Sequence, residues 1–563
     1  MLAVTLFFLF VGARWIWIYR HGQPLDIDEA GYLGFALGDY YALLHRGVIG
    51  WLRSVEGRAI YAPVTTALSS LLFVVTGPHV IAGFAVPLLA GTSCIPASYF
   101  LGKSLGSRQI GLIASILVAS CPIILVFSRS FHFSMPVTLA LTVALLALLK
   151  SNRFERIGWA VVFGISLGLM PLTRTMTIAF VPGVVIGAFV YAVAEPIDRS
   201  RRVLMLSLAL LLAAFTAATW LGPHGRAVFE YLFSFGYGPR AAEYGAAYSG
   251  LDAWLNTLRV LCNSGVYLPH LLIILAGAAA ALSGALIEAL TSRSTALVYR
   301  VVRSRTVPLF IVVAEAWSAL ASSRDQGSAF FAPIVPAMLV LTAWAFVRIS
   351  SHQYYRLTVV LLLAAVAIGT SIPFLDLRTP FSAPWIADLP VLGQAVVTDG
   401  RGSIQRYEAA GRLGPSNVAE PIGPAAGRAW INLSAETAMA ISRLAGSNAV
   451  TAFGFRHFLY NVNSVNLQQL LSSGTQFGMR QIEPFVTGES IQSYLAWLTN
   501  ENVDACVLLT SDKVRGDIPP PINRAYMRQA AEQAGFIPVE DWPTPDGQTI
   551  TLWQRQPLPA NCR

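Results

Sequence analysis

Three carboxylates stand close together just after a very apolar opening. Residues 26–32 read DIDEAGY, so Asp26, Asp28 and Glu29 follow the stretch MLAVTLFFLFVGARWIWIY within a few residues. Neighbouring acids raise one another's pKa, and a carboxylate tuned in this way can accept a proton near neutral pH. Two interpretations stay open: a helix start, where acids of the first turn complement the helix dipole, or a catalytic carboxylate at a membrane surface.

Basic and aromatic residues in several other short segments have the chemistry to bind an anionic, sugar-bearing ligand. A guanidinium holds phosphate oxygens through charge-assisted hydrogen bonds, and aromatic rings suit sugar stacking. The alternatives are side chains that snorkel at a membrane interface, an Arg324–Asp325 pair, and an aromatic belt. Arg174 is interpreted as such an interface anchor. The candidates for binding such a ligand are Arg58, Tyr61, Arg129, His132, Arg240 and Arg324.

Composition places these residues in a membrane protein. The chain has 563 residues, of which 55% are hydrophobic and 12% are charged, whereas soluble domains carry about 25% charged residues. The net charge of +9 is spread over short loops, without a basic stripe interleaved with aromatics, so a nucleic-acid partner is not expected. The five cysteines form no CxxC pair or Cys/His cluster, which argues against a zinc site.

Apolar runs of bilayer length predict about eleven membrane-spanning helices. A further apolar stretch, 62–76, is shorter and is interpreted as a helix lying at the membrane interface. The opening run lacks a basic region before it, so we interpret it as a retained span. The predicted spans are 2–20, 79–101, 110–127, 133–149, 157–172, 176–193, 203–221, 268–290, 306–322, 330–348 and 357–375.

The distribution of basic residues predicts the orientation. Loops rich in Lys and Arg alternate with poor ones, and the rich set is cytoplasmic by the positive-inside rule. The N-terminus is then cytoplasmic, and the first loop (21–78), the segment 222–267 and the region 376–563 are extracytoplasmic. If that region is outside the cell, a Cys506–Cys562 disulfide is chemically allowed.

The last region has ordinary polarity and alternating strand-like and helix-like runs, which predicts a small α/β domain. RAWINLS, NAVTAFGF and DACVLLTS are predicted strands, and SAETAMAISRLA, ESIQSYLAWLTNE and AYMRQAAEQAGF are predicted helices. The final stretch predicts a hairpin that turns at PDG. GFRHFLYNVNSVN is interpreted as a strand-to-helix connection, with an acceptor groove as the alternative. The predicted fold class is therefore a polytopic α-helical membrane domain, 1–375, followed by an extracytoplasmic α/β domain, 376–563.

Together, the acidic motif, its position and the topology resemble the GT-C membrane glycosyltransferases. The likeness is to the branch of protein O-mannosyltransferases and aminoarabinose transferases, which have an Asp-Glu pair in the first extracytoplasmic loop, followed by an aromatic residue. Asp28-Glu29 matches the pair and Tyr32 the aromatic. YAP, residues 61–63, stands where the family often has His-Pro-Pro, which is a departure from its pattern.

The resemblance implies an inverting transfer of a sugar from a polyprenyl-phosphate donor to a hydroxyl of a glycan, lipid or protein at the outer face of the cell membrane. Such a transfer needs a base for the acceptor proton and cations for the leaving phosphate. Asp28 is the expected base, and Glu29 or Asp26 would hold the acceptor. No cofactor is expected, although Asp26-x-Asp28 could bind a divalent cation.

Two other functions remain open on the residues alone. A transporter or flippase of lipid-linked sugars would need polar residues along a membrane path. A non-catalytic scaffold with a glycan-binding domain would not depend on Asp28.

Overall fold

A computed structural model describes the chain over most of its length. The described residues are 1–238, 240–241, 250–291, 303–349, 353–371, 385–390, 392–398, 424–444, 450–483, 490–510, 518 and 522–556. The expected boundary at 375/376, Cys562, and the tyrosines of the AAEYGAAY segment lie outside these residues, so the boundary and the disulfide stay predictions.

Helices make up most of the described part of the chain. They are α1 (Leu2–Arg20), α2 (Ile27–Glu56), α3 (Val64–Thr76), α4 (Val80–Gly83), α5 (Ala85–Leu105), α6 (Arg108–Ser120), α7 (Pro122–Phe127), α8 (Ser134–Lys150), α9 (Ile157–Thr173), α10 (Val181–Val193), α11 (Arg199–Gly236), α12 (Leu251–Val260), α13 (Tyr267–Thr291), α14 (Val307–Ser322), α15 (Val335–Ile349), α16 (Gln353–Ser371), α17 (Pro424–Leu444), α18 (Val462–Ser473), α19 (Ile491–Asn500) and α20 (Arg524–Gln533).

Seven strands form two sheets in the described residues. The strands are β1 (Trp385–Leu389), β2 (Gly393–Thr398), β3 (Val450–Phe453), β4 (Gly478–Gln481), β5 (Cys506–Thr510), β6 (Phe536–Pro543) and β7 (Thr549–Arg555). β1 and β2 pair antiparallel, and the other five lie in the order β4-β3-β5-β7-β6. β3 is parallel to both β4 and β5, whereas β7 is antiparallel to both β5 and β6.

The chain forms two compact units. The first contains residues 1–16, 56–68 and 84–402, and the second contains residues 17–55, 69–83 and 403–563. Most of the apolar helices belong to the first unit, and the five-stranded sheet belongs to the second.

The apolar runs are helical as expected. Five helical stretches of the described chain are long and apolar enough to cross a membrane: Leu2–Arg20, Val80–Leu105, Thr175–Val193, Arg199–Gly236 and Ser328–Arg348. Apolar helices of 10–17 residues lie in the remaining predicted spans and in the predicted interface stretch at 62–76, and some reach only part of the predicted length. Residues 372–375 of the last predicted span lie outside the described residues. The number of crossings, eleven, and their orientation stay predictions.

Two predicted spans have different bounds in the structure. The run 110–127 is divided, because Cys121 is extended (φ −73°, ψ 125°) and Pro122 starts a new short helix; proline lacks the N–H that would continue α6. The run 203–221 was expected to end at the outer loop, yet α11 continues through Pro223 to Gly236. That part of segment 222–267 is therefore helix rather than loop.

In the second unit, alternate residues of the strands build two cores on opposite faces of the sheet. Phe453, Leu508 and Leu552 pack in one apolar cluster with Trp430 of α17. Ala452, Val507 and Trp553 pack in the other, with side chains of α19 and α20. This period of two is the consequence of strand geometry, and helices on both faces explain the strongly apolar strands.

The predictions for the C-terminal region are mostly confirmed. NAVTAFGF contains β3, DACVLLTS contains β5, and the PDG segment turns between β6 and β7, with Gly547 at φ 82°. The predicted strand RAWINLS is wrong, because residues 428–434 lie inside α17. In α17 the buried residues Trp430, Leu433, Thr437 and Ile441 follow one another after three or four positions, which is the period of a helix.

Candidate functional site

Asp26 ends the connection that precedes α2 and acts as its N-terminal cap. The helix begins at Ile27, and the Asp26 Oδ1 accepts a hydrogen bond of 2.8 Å from the backbone N–H of Glu29. Asp26 is only 6% exposed. A side-chain oxygen in this position satisfies one of the N–H groups that a helix start leaves without a partner. The helix-start interpretation thus describes the contact that Asp26 makes here.

Glu29 lies in the first turn of α2, with its side chain buried in an ion pair. Its carboxylate pairs with the guanidinium of Arg20, the last residue of α1, and both side chains are 1% exposed. A buried carboxylate needs such a partner, since an unpaired charge in an apolar surrounding is strongly unfavourable. The pair therefore fixes the end of α1 to the start of α2.

Asp28 differs from its two acidic neighbours because its side chain is exposed. It lies in the first turn of α2, where the positive end of the helix dipole favours the ionised carboxylate. The three acids are therefore sorted by structure: Asp26 caps, Glu29 pairs inside the protein, and Asp28 presents its carboxylate at the surface.

A close contact with α18, which sequence reasoning missed, holds the same helix start. The Asn463 Nδ2 donates a 2.8 Å hydrogen bond to the backbone oxygen of Ile27. Gly31 lies beside this amide, and a Cβ at Gly31 would come within 2.8 Å of the Asn463 Nδ2. A side chain at this position of DIDEAGY would therefore have to displace the Asn463 amide that holds the helix start.

In the first unit, His132 joins a buried polar cluster with Arg174. The Arg174 Nη1 donates to the Ser134 Oγ at 2.7 Å and to the His132 Nδ1 at 3.2 Å. Because a guanidinium can only donate, the Nδ1 is the acceptor, and a neutral His132 carries its proton on Nε2. Arg174 was interpreted as an interface anchor; instead it is 8% exposed and lies over the ring of Phe330 at 4.6 Å.

Arg129 is also deeply buried in the first unit. Its side chain is 1% exposed, and its guanidinium lies 5.0 Å from the ring centroid of Trp15 on α1. A cation over an indole face is a favourable contact in a desolvated place. The snorkelling alternative does not describe this side chain, because snorkelling would put its head group in water.

Arg58 and Tyr61 lie in the connection between α2 and α3, and both are partly buried. The Arg58 Nη1 donates to the Thr66 Oγ1 at 2.7 Å, and that hydroxyl donates to the backbone oxygen of Pro63 at 3.1 Å. These bonds hold Arg58 against the first turn of α3, next to the YAP segment.

Arg240 and Arg324 lie on turns that meet in the first unit. The backbone N–H of Arg324 donates to the oxygen of Gly236 at 3.0 Å, where α11 ends. The Tyr237 hydroxyl is 2.8 Å from the Ser322 Oγ, which joins the same two turns. Arg240 lies three residues after Tyr237, and its guanidinium is 4.3 Å from the Phe235 ring centroid. Both residues are partly buried.

The segment GFRHFLYNVNSVN connects β3 to α18, as interpreted from the sequence. The His457 Nδ1 accepts hydrogen bonds from the N–H groups of Leu459 and Tyr460 at 3.1 and 3.0 Å. Burial, with the Arg524 cation as a second cause, lowers the pKa of His457 to about 3. Asn461 and Ser464 cap α18 reciprocally. These polar groups are used in building the connection.

Known proteins resemble this chain in two ways. The family model described as dolichyl-phosphate-mannose-protein mannosyltransferase matches residues 61–222, less than a third of the chain. Among solved structures, the crystal structure of apo ArnT from Cupriavidus metallidurans resembles this chain, with 15% identity and a TM-score of 0.57. The match covers 98% of this chain and 96% of that one. No curated protein matches the chain significantly.

Two further structures extend the comparison. ArnT from C. metallidurans bound to undecaprenyl phosphate matches with 14% identity and a TM-score of 0.55, over 98% of this chain and 97% of that one. The Archaeoglobus fulgidus oligosaccharyltransferase in complex with Zn and sulfate matches with 13% identity and a TM-score of 0.50, over 90% of this chain and 67% of that one. At these identities the likeness shows the fold. The predicted architecture, apolar helices together with a C-terminal sheet-containing domain, is confirmed, and so is the resemblance in fold to GT-C structures. The domain bounds and the extracytoplasmic side stay predictions.

Proposed function

We propose that this chain, a membrane protein with the GT-C fold, is a glycosyltransferase that moves a sugar from a polyprenyl-phosphate donor to an acceptor hydroxyl. The observation that carries the proposal is that Asp28, in the first turn of α2, is exposed, whereas Asp26 and Glu29 beside it are buried. The mannosyltransferase family match at residues 61–222 and the related structure that holds undecaprenyl phosphate support it.

In the proposed reaction, Asp28 is the general base. Its carboxylate takes the proton from the acceptor hydroxyl while that oxygen bonds to the anomeric carbon of the donor sugar. The bond from this carbon to the phosphate oxygen breaks at the same time, and polyprenyl phosphate leaves with the electron pair. Attack from the face opposite the leaving group inverts the anomeric configuration, and a second catalytic carboxylate is unnecessary.

Asp26 and Glu29 then act on Asp28 through the backbone. The cap at Asp26 fixes the helix start, and the Arg20–Glu29 pair fixes its position against α1. We therefore assign both acids positioning roles, in place of the expected acceptor-holding role. A base held by its own helix loses less freedom when the acceptor arrives.

Arg324 and Arg240 are the residues that we propose for the donor phosphate. Their turns adjoin, their side chains are only partly buried, and guanidiniums pair well with phosphate oxygens. Cations at this place would steady the charge that grows on the leaving phosphate. Arg129, His132, Arg58 and Tyr61 remain proposed neighbours of the donor, and their contacts favour a supporting role.

We propose that the reaction proceeds without a metal ion. One related structure is a complex with Zn, but the described residues contain no group of three or more His, Cys, Asp or Glu side chains placed to hold a cation. Asp26 also uses one carboxylate oxygen in its cap, which leaves it less suited to share a cation with Asp28. Activity that persists in excess EDTA would support metal independence; activity restored only by a divalent cation would contradict it.

The proposed location is the cell membrane, with the N-terminus in the cytoplasm and Asp28 and the sheet-containing unit outside. The proposed acceptor is a glycan, lipid or protein, and the surrounding lipids are the remaining partners. Labelling of a single cysteine introduced at Asp541, an exposed strand residue, tests the orientation. Reaction with an impermeant thiol reagent in intact cells is expected; protection until the cells are lysed would contradict it.

The enzymatic proposal is tested with purified protein and a panel of polyprenyl-phosphate sugars. Transfer by wild type and its loss in Asp28→Asn are expected, with inversion seen in the anomeric proton coupling of the product. Asp252→Asn is the matched control, because Asp252 is also an exposed acid in a first helical turn. Movement of the lipid-linked sugar across the bilayer without transfer would instead favour a flippase.

A further inference from the structure

The unit that contains the sheet also contains a large cavity next to the start of α2. Its volume is about 590 Å³, within the range of about 300–1,000 Å³ that is usual for small-molecule sites. Its walls are formed by the end of α1, by α4, and by the helices α17 and α18. Arg20 and Ala30 are among the lining residues, so the cavity adjoins the segment that carries Asp28.

The lining is mainly apolar, and its buried hydroxyls are already used. Leu25, Ile81 and Leu467 are among the apolar members. The Ser434 Oγ donates to the backbone oxygen of Trp430 at 3.1 Å and lies 3.3 Å from the Ser464 Oγ, which in turn donates to the Asn461 oxygen. A ligand rich in hydroxyls would find few open partners here, whereas a hydrocarbon chain would bury apolar surface.

The buried indole in the cavity, that of Trp430, is packed against an imidazole, which makes it less suitable as a sugar platform. Trp430 is 3% exposed and lies 4.9 Å from the His457 ring. Trp17 meets His21 edge-on at 4.8 Å. Stacking of a sugar would need an open aromatic face.

The position of the cavity provides a route from the bilayer. α1 is long and apolar enough to cross a membrane, and only 22% of its apolar window is buried. At its end Trp17 is 61% exposed and also lines the cavity. An aromatic residue at this place is typical of the membrane–water interface. Since Trp17 and Arg20 of the last turn of α1 line the cavity, a lipid chain at that end of the helix can enter it.

The edge of the cavity suits a phosphodiester head group. His21 and His79 are exposed members of the lining, and Gln23 adds an amide. Imidazole and amide N–H groups donate hydrogen bonds. No Asp or Glu stands among the described residues that line the cavity, so nothing in the lining repels an anion.

We propose that this cavity binds one acyl chain of a bilayer phospholipid, with the phosphodiester at His21 and His79. The lipid would pack beside Arg20 and Ala30 and so support the start of α2. Binding itself does not depend on the proposed glycosyl transfer.

Native mass spectrometry of the full chain tests the proposal in mild detergent, after reconstitution in bilayers of known phospholipid. We expect one retained phospholipid on wild type and its loss in Ala82→Phe, since Ala82 lines the cavity and the added ring would occupy part of the space that the acyl chain needs. Ala13→Phe is the matched control, because Ala13 is an exposed residue of α1 and does not line the cavity. It should keep the lipid.

A second variant guards against a folding defect in Ala82→Phe. His21→Ala/His79→Ala changes two exposed side chains, and it should retain less phospholipid at an unchanged elution volume and circular dichroism spectrum. The proposal would be overturned if wild type carried no lipid, or if Ala82→Phe or His21→Ala/His79→Ala retained as much phospholipid as wild type. Retention of a polyprenyl phosphate or a glycan in place of phospholipid would also overturn it. If transfer activity fails while retention follows the prediction, only the proposed function is lost.

Discussion

Loss of one partner of the buried Arg20–Glu29 pair should destabilise the protein strongly, whereas loss of both should not. Both side chains are 1% exposed, so Arg20→Met leaves the Glu29 carboxylate inside the protein without its cation. Removing one partner of such a pair costs about 3–5 kcal/mol, whereas replacing both by apolar residues is often neutral. We therefore expect Arg20→Met to lower the free energy of unfolding by about 3–5 kcal/mol. Arg20→Met/Glu29→Met should lose much less.

A double-mutant cycle by denaturant unfolding in detergent measures this coupling. The matched control is Arg443→Met, because the Arg443–Glu540 pair lies in the same unit but its arginine is 65% exposed. That change should cost about 0–1 kcal/mol. The reasoning would be refuted if Arg20→Met were no more destabilising than the control, or if the two Arg20 and Glu29 substitutions were additive.

Three further outcomes follow from single contacts. Gly31→Ala should displace the Asn463 amide, because its Cβ would lie 2.8 Å from the Asn463 Nδ2. The lost hydrogen bond is partly offset, since alanine is favoured over glycine inside a helix, so the free energy of unfolding should fall by at most about 1 kcal/mol. In an Asn463→Ala background the same change should stabilise the protein, and purely additive changes would contradict the clash. In the folded protein the pKa of His457 is about 3, below its ordinary value of 6.5. Because the unfolded chain binds this proton more strongly, the free energy of unfolding should fall as the pH drops from about 6.5 towards 3. The acid sensitivity of wild type should therefore exceed that of His457→Gln, and equal pH profiles would speak against a buried neutral imidazole. Arg324→Gln should raise the KM for the donor by about 10- to 100-fold, because a charged hydrogen bond is lost. Arg226→Gln is the control and should leave this KM unchanged, since the Arg226 side chain is 91% exposed. The same KM in both variants would contradict a role of Arg324 in donor binding.

The apolar helices could be predicted from the sequence because a bilayer imposes a length and an apolar composition on each span. The hairpin at PDG could be predicted because few residues adopt the backbone of such a turn, and Gly547 does so at φ 82°. RAWINLS was misjudged because a short apolar run does not separate strand from helix. Its helical period becomes visible only when Trp430 is considered together with Thr437 and Ile441.

The acidic motif could be found from its position, but the separate environments of its three acids could not. Arg20 and Glu29 are nine residues apart, on either side of a turn, and nothing local predicts that they pair. The Asn463 contact to Ile27 joins residues 436 positions apart. Such contacts depend on the tertiary fold, which a single sequence does not reveal residue by residue. Burial of Arg174 and Arg129 likewise depends on neighbouring helices.

The central claim is that the Asp28 carboxylate accepts the acceptor proton, and the turnover rate of Asp28→Asn at saturating donor and acceptor tests it most directly. An asparagine keeps the shape of the side chain but is a far weaker base, so kcat should fall by about 10²- to 10⁴-fold. Asp252→Asn should turn over at the wild-type rate. Equal kcat values for Asp28→Asn and wild type would contradict the account.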